Sequence, residues 1–542
     1  VKLQSFFVLK FNSSKLRKKK NNITTTITNA RLNNDLVRLS DNSLLRFIRR
    51  KYNKEFDDDK LKLLLRNQQK LRMSSLKQNG DKLRIIQDQI DSLLFVPEII
   101  EVEIEDNRHY TNIITKTGLF VNGKRYVRLL ASAGMARRST VMFCQEDKFD
   151  DIMDFLECGR KMGYKLNPAK YNAYVALATS GGFETSIPYF VVVPDKEVER
   201  EVEVEWVSEN DNPNQDPIIE GKTMQQTFNL FDGQGLMSRS YANKIADELE
   251  LDYTPSALIF RGAWQKGLLV TFDFKELAIQ KGINTITDIY GVEHYIYNVD
   301  VILSASQFKL SGAYENTKQY VDECRKNKYN WTIVRTAPKH NDKQTRATYQ
   351  YLQILNLDDK QIDGLCEDTV DYFTKVSGMD WVSVIIFLLG SLHSDNIDSK
   401  WFHEQDTLIR ALFYNKEILR DKYVQNKLRR MINKKIRESY EGKINIDGNY
   451  QFMISDPYAQ CEHVFGLETR GLLDKRKFYS RYWNNLNVKK VSAIRSPCTY
   501  YAENNILDLV KSDDMNYWYR YLTTGIIYNI YDESVMLHGG SD

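Results

Sequence analysis

A chain of 542 residues, 42% hydrophobic and 27% charged, can bury a large core and has the length of several domains. Its six cysteines (144, 158, 324, 366, 461 and 498) include no C-x-x-C pair, which excludes zinc-ligand spacing and a disulfide framework and fits a reducing cytosol. The net charge of +4 is an average over a basic end, with 19 Lys/Arg against 6 Asp/Glu in residues 1–72, and a strongly acidic stretch at 195–220.

The chain starts at Val1 without the order of a secretion signal, so a truncated or processed start is expected rather than a targeting peptide. The cluster KLRKKK (15–20) suits sequence-independent attraction to phosphate backbones, or equally a solvated tail. From 43 to 95, SLLRFIRRKY, KLKLLLRNQQKL and LRIIQDQIDSLL repeat apolar residues at three-to-four spacing and predict amphipathic helices. From 97 the texture changes to short β-branched and aromatic runs (EIIEVEIE, YTNIITKTGLFVNG, YVRLLAS, TVMFC, IPYFVVVPD), which predict strands.

The polar, acidic VSENDNPNQDP (207–217) marks a loop or domain boundary. The strand-like runs after it, TFNLFDGQGLMS, SALIFRGAW, GLLVTFDF and VDVILSASQFKL, suggest a compact barrel. Residues 351–440 read as helices ending in the basic DKYVQNKLRRMINKKIRESY, a connector to a second β unit that begins near GKINIDGNYQFMISDP. WVSVIIFLLG (381–390) is about half of the ~20 residues that a membrane span needs and reads as a buried helix. The order of β unit, helical connector and β unit looks like two copies of one architecture, with no short-period repeat.

Walker A, G-x-G-x-x-G, H-E-x-x-H and G-x-S-x-G strings are all absent, and only seven histidines occur, which removes many hydrolase and nucleotide-binding chemistries. Asp232 and Gly233, in DGQG between two strand-like segments, read first as a structural turn. Lys266, in RGAWQKG at a strand entrance beside glycines, and Lys309, in SQFKLSGAY, are placed to contact phosphate, with a solvated surface lysine as the alternative. Arg495 offers a charged fork just before Pro497, in a segment whose plain alternative is a surface turn. Asp542, in HGGSD, could help to hold a hard cation such as Mg²⁺, although one carboxylate does not make a site.

Taken together and in order, RLLASAGMARRSTVMFC, YNAYVALATSGGFETSIPYFVVVPD, FDGQGLMS with PSALIFRGAWQKGLLV, SQFKLSGAY, YQFMISDPYA, SAIRSPCTYY and TTGIIYNIYDESVMLHGGSD resemble the RNA polymerases built on two double-psi β-barrels. These are the cellular RNA-dependent RNA polymerases of gene silencing and the single-chain phage enzymes of the YonO-like kind. The resemblance spans roughly residues 100–542. It implies an α+β multidomain fold: a basic helical region (1–95), a β-rich region (96–215), a first double-psi β-barrel (216–350), a helical connector (351–440) and a second barrel (441–542), incomplete at its C-terminal end.

The resemblance also implies template-directed RNA synthesis, in which two Mg²⁺ ions held by a D-x-D-G-D loop align an RNA 3′-hydroxyl with the α-phosphate of a nucleoside triphosphate. Asp542 matches the first aspartate, and the chain is expected to be inactive without the other two. Lys266 and Lys309 match phosphate-contacting lysines of the first barrel, and Arg495 and Pro497 a turn beside the nucleotide sugar. Tyr500 and Tyr501 stand where multisubunit polymerases often have a His after this Arg-x-Pro.

RRSTVMFC, SQFKLSGAY and EHVFGLETRGLL look closer to the phage members, so a DNA template is favoured over RNA, in the host cytoplasm and with no membrane partner. The missing remainder or a second subunit would complete the site. Alternatives are an RNA-dependent enzyme of the silencing type, a non-catalytic nucleic-acid-binding or split-polymerase subunit that uses its basic helices and 32 tyrosines, and a structural protein with fortuitous motifs.

Overall fold

The computed structural model describes residues 4–52, 58–73, 80–104, 108–161, 163, 167–210, 212, 215–390, 407–494 and 504–532. The chain divides into two compact units, 1–337 with 459–470, and 338–458 with 471–542. Both mix helices with sheets, giving an α+β multidomain protein. No helix among the described residues is long and apolar enough to cross a membrane, and Trp381–Leu388 is a helix with Val384, Ile385, Ile386 and Phe387 buried.

The first unit opens with a seven-stranded sheet in the spatial order Asn22–Ile23, Leu119–Val121, Lys124–Leu130, Thr140–Gln145, Phe95–Glu103, Ser5–Asn12 and Leu36–Ser40. The helices expected between 43 and 95 are present as Ser43–Tyr52, Asp58–Met73 and Gly80–Leu94. The segment before them adds the three strands at 5–12, 22–23 and 36–40, so the basic end is built into the sheet and is no tail. Within it Lys15 pairs with Asp35, while Arg17, Lys18, Lys19 and Lys20 are exposed.

One stretch predicted as strand is a helix. Arg108–Thr117 coils because Tyr110 and Ile114, four residues apart, both turn onto one apolar cluster, and that packing outweighs the β preference of its Thr and Ile residues. The acidic segment 207–217 closes a hairpin of two 12-residue strands, Glu197–Ser208 and Ile218–Asn229, paired over their whole length as a two-stranded sheet. It is therefore a turn inside the first unit and no linker between domains. Alternation puts Glu197, Glu199, Glu201, Glu203 and Glu205 on one face of this ribbon and Val198, Val202, Val204 and Trp206 on the other.

Two sheets share a topology. In the first unit five strands follow in sequence: Phe190–Val193, Gln234–Met237, Ala257–Gly262, Gln265–Thr271 and Val301–Ser304. In the second unit the five are Met453–Ser455, Lys477–Tyr479, Lys490–Ile494, Asn504–Leu509 and Ile526–Tyr528. Numbered by sequence, each set lies in the spatial order first, fifth, second, fourth, third. The pairings run parallel, antiparallel, parallel, antiparallel in both sets.

A Ser-Arg step follows the second strand in each case and opens a helix, Arg239–Glu248 after Ser238 and Arg481–Asn485 after Ser480. Another helix follows each fourth strand, Phe274–Lys281 and Asp513–Trp518. In the first unit, Trp331–Thr336 and Phe183–Thr185 extend the sheet beyond the third strand.

Segment 459–470 packs with the first unit although it lies in sequence between strands of the second set. Its Gln460 forms a reciprocal amide pair with Gln234: Gln234 Nε2 donates to Gln460 Oε1 and Gln460 Nε2 donates to the Gln234 carbonyl, each at 3.0 Å. Both glutamines are buried, so the Gln460 amide finds its partners in the side chain and the backbone carbonyl of Gln234 where water cannot supply them. His463 Nε2 donates to the Pro194 carbonyl at 2.9 Å and its ring stacks on Phe231.

In the second unit, Asp359–Ser377, Trp381–Leu388, Thr407–Tyr414 and Lys422–Tyr440 surround one apolar cluster that includes Phe373, Val376, Leu412 and Leu428. A short ladder, Gln344–Arg346 with Asn445–Asp447, leads to the five-stranded sheet.

Glu101 sits inside the strand Phe95–Glu103, buried, and its Oε1 has no hydrogen-bond partner among the described residues. Burial pushes its carboxyl pKa above the usual range, against the opposing pull of Arg138 and Lys10. The folded state therefore holds this proton more tightly than the unfolded chain, and Glu101 lowers stability increasingly as pH rises from about 4. Glu101→Gln is expected to raise the Tm of the first unit at pH 7 to 8, with the advantage shrinking toward pH 4, as thermal unfolding across that range would read.

Candidate active site

The centre of the first-unit sheet is organised around one side chain. Gln307 follows the strand Val301–Ser304 in the turn Ala305–Gln307 and is fully buried. Its Nε2 donates to the carbonyls of Gly233 and Leu268, each at 3.0 Å, and its Oε1 accepts the Ser304 N–H at 3.1 Å. One amide thus joins the fourth and fifth strands to the turn that leads into the second.

The amide occupies the space that side chains on two neighbouring strands would need. A Cβ at Gly267 would lie 2.0 Å from Gln307 Nε2 and 2.7 Å from the Gly233 oxygen, and one at Gly235 would lie 2.5 Å from both Gln307 Oε1 and the Ile302 oxygen. The two glycines are required by close approach and not by turn geometry. Gly233 is the reverse case: its φ of +69° makes the turn after Asp232, its N–H donates to Ser306 Oγ at 3.1 Å, and its carbonyl accepts from Leu268 N at 2.9 Å. Asp232 is half-buried in that turn.

Lys266 and Lys309 are carried by the same junction. Gln265 bridges Phe308 in antiparallel fashion, and the Lys309 N–H donates to the Trp264 carbonyl at 2.9 Å, so each lysine directly follows a bridged residue. Trp264 holds a left-handed backbone, φ +59°, which a bulky residue rarely adopts. Its ring is buried and its indole N–H donates to the Glu157 carbonyl at 3.2 Å, which fixes the tight connection between Gly262 and Gln265. Both lysines are half-exposed.

Lys309 lines an open cavity of about 530 Å³, within the range of small-molecule sites, together with Lys170, Tyr174, Asn167, Asp195 and Ser306. Lys266 does not line it. Lys170 comes from the helix Pro168–Val175, started by Asn167, whose side chain accepts from Ala169 N at 2.9 Å, and by Pro168 at the first position. Asp195 Oδ1 accepts from the Ser306 N–H at 3.1 Å, which ties the end of the first strand to the Gln307 turn and leaves one carboxylate at the cavity. Two lysines against one acid make a surface suited to a phosphate-bearing ligand.

Sequence reasoning selected Lys266, Lys309, Asp232 and Gly233, and the structure brings all four to this junction. It missed Gln307, Asp195 and Lys170. Lys170 had a local signal, the Asn-Pro helix start, but nothing local says that this helix faces residues 305–311. Arg495, Pro497 and Asp542 lie outside the described residues, so their placement is not part of this geometry. Among the described residues no group of three or more His, Cys, Asp or Glu could hold a metal ion. They do not make a Mg²⁺ site.

A mixed α+β protein with a glycine-lined strand junction here carries Lys170, Lys309 and Asp195 at an open polar cavity. Residues 46–510 match the family model for RNA dependent RNA polymerase, and the chain belongs to that family. Over 450 residues it is 25% identical to the DNA-directed RNA polymerase YonO of Bacillus phage SPbeta, an alignment covering 80% of this chain and 49% of that protein. Among solved structures, the RNA dependent RNA polymerase QDE-1 from Thielavia terrestris matches with a TM-score of 0.43 and 13% identity, over 80% of this chain and 46% of that one. The chain spans about half the length of these relatives.

Gly267→Ala is expected to lower stability by about 1–3 kcal/mol through overpacking against Gln307. Gln307→Ala should cost about 1–3 kcal/mol for each buried group left unpaired. Because the added methyl fills space that the amide vacates, the double variant should lose less than the two single losses summed. Denaturant unfolding of the four proteins reads the coupling, and strict additivity would contradict this account of the glycine.

Proposed function

We propose that the chain carries the greater part of a template-directed RNA polymerase core that transfers nucleotides from nucleoside triphosphates to an RNA 3′ end. The observation that carries this reading is the Lys309 cavity at a glycine-lined crossing of strands in a member of this family. The shared order of the two five-strand sets supports reading them as two double-psi β-barrels joined by the helical connector 351–440, the second within 441–542 and the first beginning ahead of the expected 216–350, at Phe190. On this reading residues 1–95 and 96–215 form two regions ahead of the rest of the first barrel, with the strand Phe190–Val193 of the second region contributed to it.

In the proposed site Lys309 binds a phosphate and neutralises charge as the phosphoryl group is transferred, and Lys266 does the same toward the RNA end. Arg495 and Pro497 would shape the turn beside the nucleotide sugar, and Asp232 and Gly233 would keep a structural part. Asp542, with the further aspartates of a D-x-D-G-D loop, would hold Mg²⁺, which would supply Lewis-acid charge to the phosphoryl transfer. Nucleic acid and nucleoside triphosphates are the partners, in the cytoplasm of a host cell.

A DNA template is favoured because YonO, similar over 80% of the chain, is named a DNA-directed enzyme. The family's description as RNA-dependent supports an RNA template as the second reading.

The test is incorporation of labelled nucleotide by a polypeptide extended through a full D-x-D-G-D loop, on single-stranded DNA and on RNA templates with Mg²⁺. RNA made on DNA and abolished by Asp542→Ala is expected, with Lys309→Ala slowing the reaction on the order of 10²-fold, as for the loss of one charge-stabilising group. Product on RNA alone would shift the reading to the silencing type. No product on either template from folded protein would leave a non-catalytic nucleic-acid-binding subunit.

A further inference from the structure

The helix Lys422–Tyr440 of the second unit has an outer face that the proposed reaction does not use. Its inner edge is Val424, Leu428 and Ile432, spaced by four and buried against the cluster of Phe373, Val376 and Leu412. Asp421 caps the start, its side chain accepting from Val424 N at 3.0 Å.

The rest of the surface is basic. Lys422, Arg429, Arg430, Lys434 and Arg437 are exposed and Lys427 is half-exposed. Lys427, Arg430, Lys434 and Arg437 follow one another at steps of three, four and three, and so form a single stripe along the helix. Among the described residues none of these six cations is paired with a carboxylate. Glu438, four residues after Lys434, borders the stripe and is engaged by Lys435 at 2.8 Å and Arg346 at 3.2 Å.

A favourable interaction with the helix dipole accounts for Arg437 in the last turn but not for a stripe that runs the helix's length. Like charges three and four residues apart repel one another, and a polyanion along the stripe removes that cost. Tyr423 and Tyr440, near the two ends of the same helix, are 74% and 87% exposed, so their rings are open to stacking.

We propose that this face is a track for single-stranded nucleic acid, with the cation stripe on successive phosphates and the two tyrosines stacking against bases. The helix has 19 residues and is therefore about 28 Å long, enough for several nucleotides. The inference rests on the polymerase reading only in needing a chain that handles nucleic acid.

The test measures binding of fluorescent 20-mers of deoxythymidine and of uridine, and of a 20-base-pair duplex, by the full 542-residue chain as salt is varied. It compares the chain with its K427Q/R430Q/K434Q/R437Q variant and with K18Q/K19Q/K20Q, which removes three exposed cations elsewhere. The helix variant is expected to bind both single strands at least about tenfold more weakly. Its salt slope should fall by roughly 3, at about 0.7 per phosphate contact, with a smaller change in the control.

Y423A/Y440A should weaken single-strand binding while leaving the salt slope in place, and this double variant supplies the test if the fourfold one loses helical circular dichroism. Undiminished binding by both helix variants would overturn the track and leave the polymerase reading standing. A preference for the duplex that the helix variant abolishes would overturn the assignment to single strands. No binding by the parent chain would sink both readings.

Discussion

The side-chain amide of Gln307 is the interaction on which the first-unit sheet depends. A glutamine with its polar atoms away from water must satisfy them within the protein, and here the two carbonyls and one N–H that do so belong to two strands and to the turn that leads into a third. That requirement propagates outward. It removes the side chain from residues 235 and 267 and holds the 305–307 turn against Gly233. It also sets Lys309 beside the connection that carries Lys266. Asp195 holds the start of the 305–307 turn at the edge of the cavity through the Ser306 N–H.

The repeated five-strand order gives this local arrangement a wider meaning. A spatial order of first, fifth, second, fourth, third with the same alternation of parallel and antiparallel neighbours is one of many ways to arrange five strands. Its appearance twice, with helices opened by a Ser-Arg step at corresponding points, points to one architecture used two times. The two copies differ in what they insert. The first carries the long acidic hairpin between its first and second strands, and in the second the corresponding interval contains segment 459–470, which packs with the first unit through the Gln234–Gln460 pair.

Charge is sorted along the chain in a way that a net value of +4 conceals. The hairpin strands display five glutamates on one face, a surface that repels phosphate backbones. The helix Lys422–Tyr440 has one glutamate, engaged by Lys435 and Arg346, and leaves its remaining cations exposed or half-exposed. The cavity has the lysines of the Pro168–Val175 helix and of the Gln307 turn with a single carboxylate. In this protein the sign of each surface follows from which neighbours its charged residues pair with, and such pairing is invisible in composition.

The sequence alone determined the kinds of element and much of their order. The three-to-four spacing in 43–95 and 351–440 gives helices because one apolar stripe must be buried. The β-branched runs around FDGQGLMS, SALIFRGAW, GLLVTFDF and VDVILSAS give the central strands. The ordered motifs carried the family resemblance and pointed to Lys266 and Lys309.

Only the tertiary structure decided that Arg108–Thr117 is a helix, that 207–217 is a hairpin tip, that Gly235 and Gly267 yield space to Gln307, and that Lys170 shares a cavity with Lys309. The reason is range. Periodicity and propensity act between residues a few positions apart, whereas Gly267 meets Gln307 across 40 residues and Lys170 shares its cavity with Lys309 across 139, contacts set by strand order and burial.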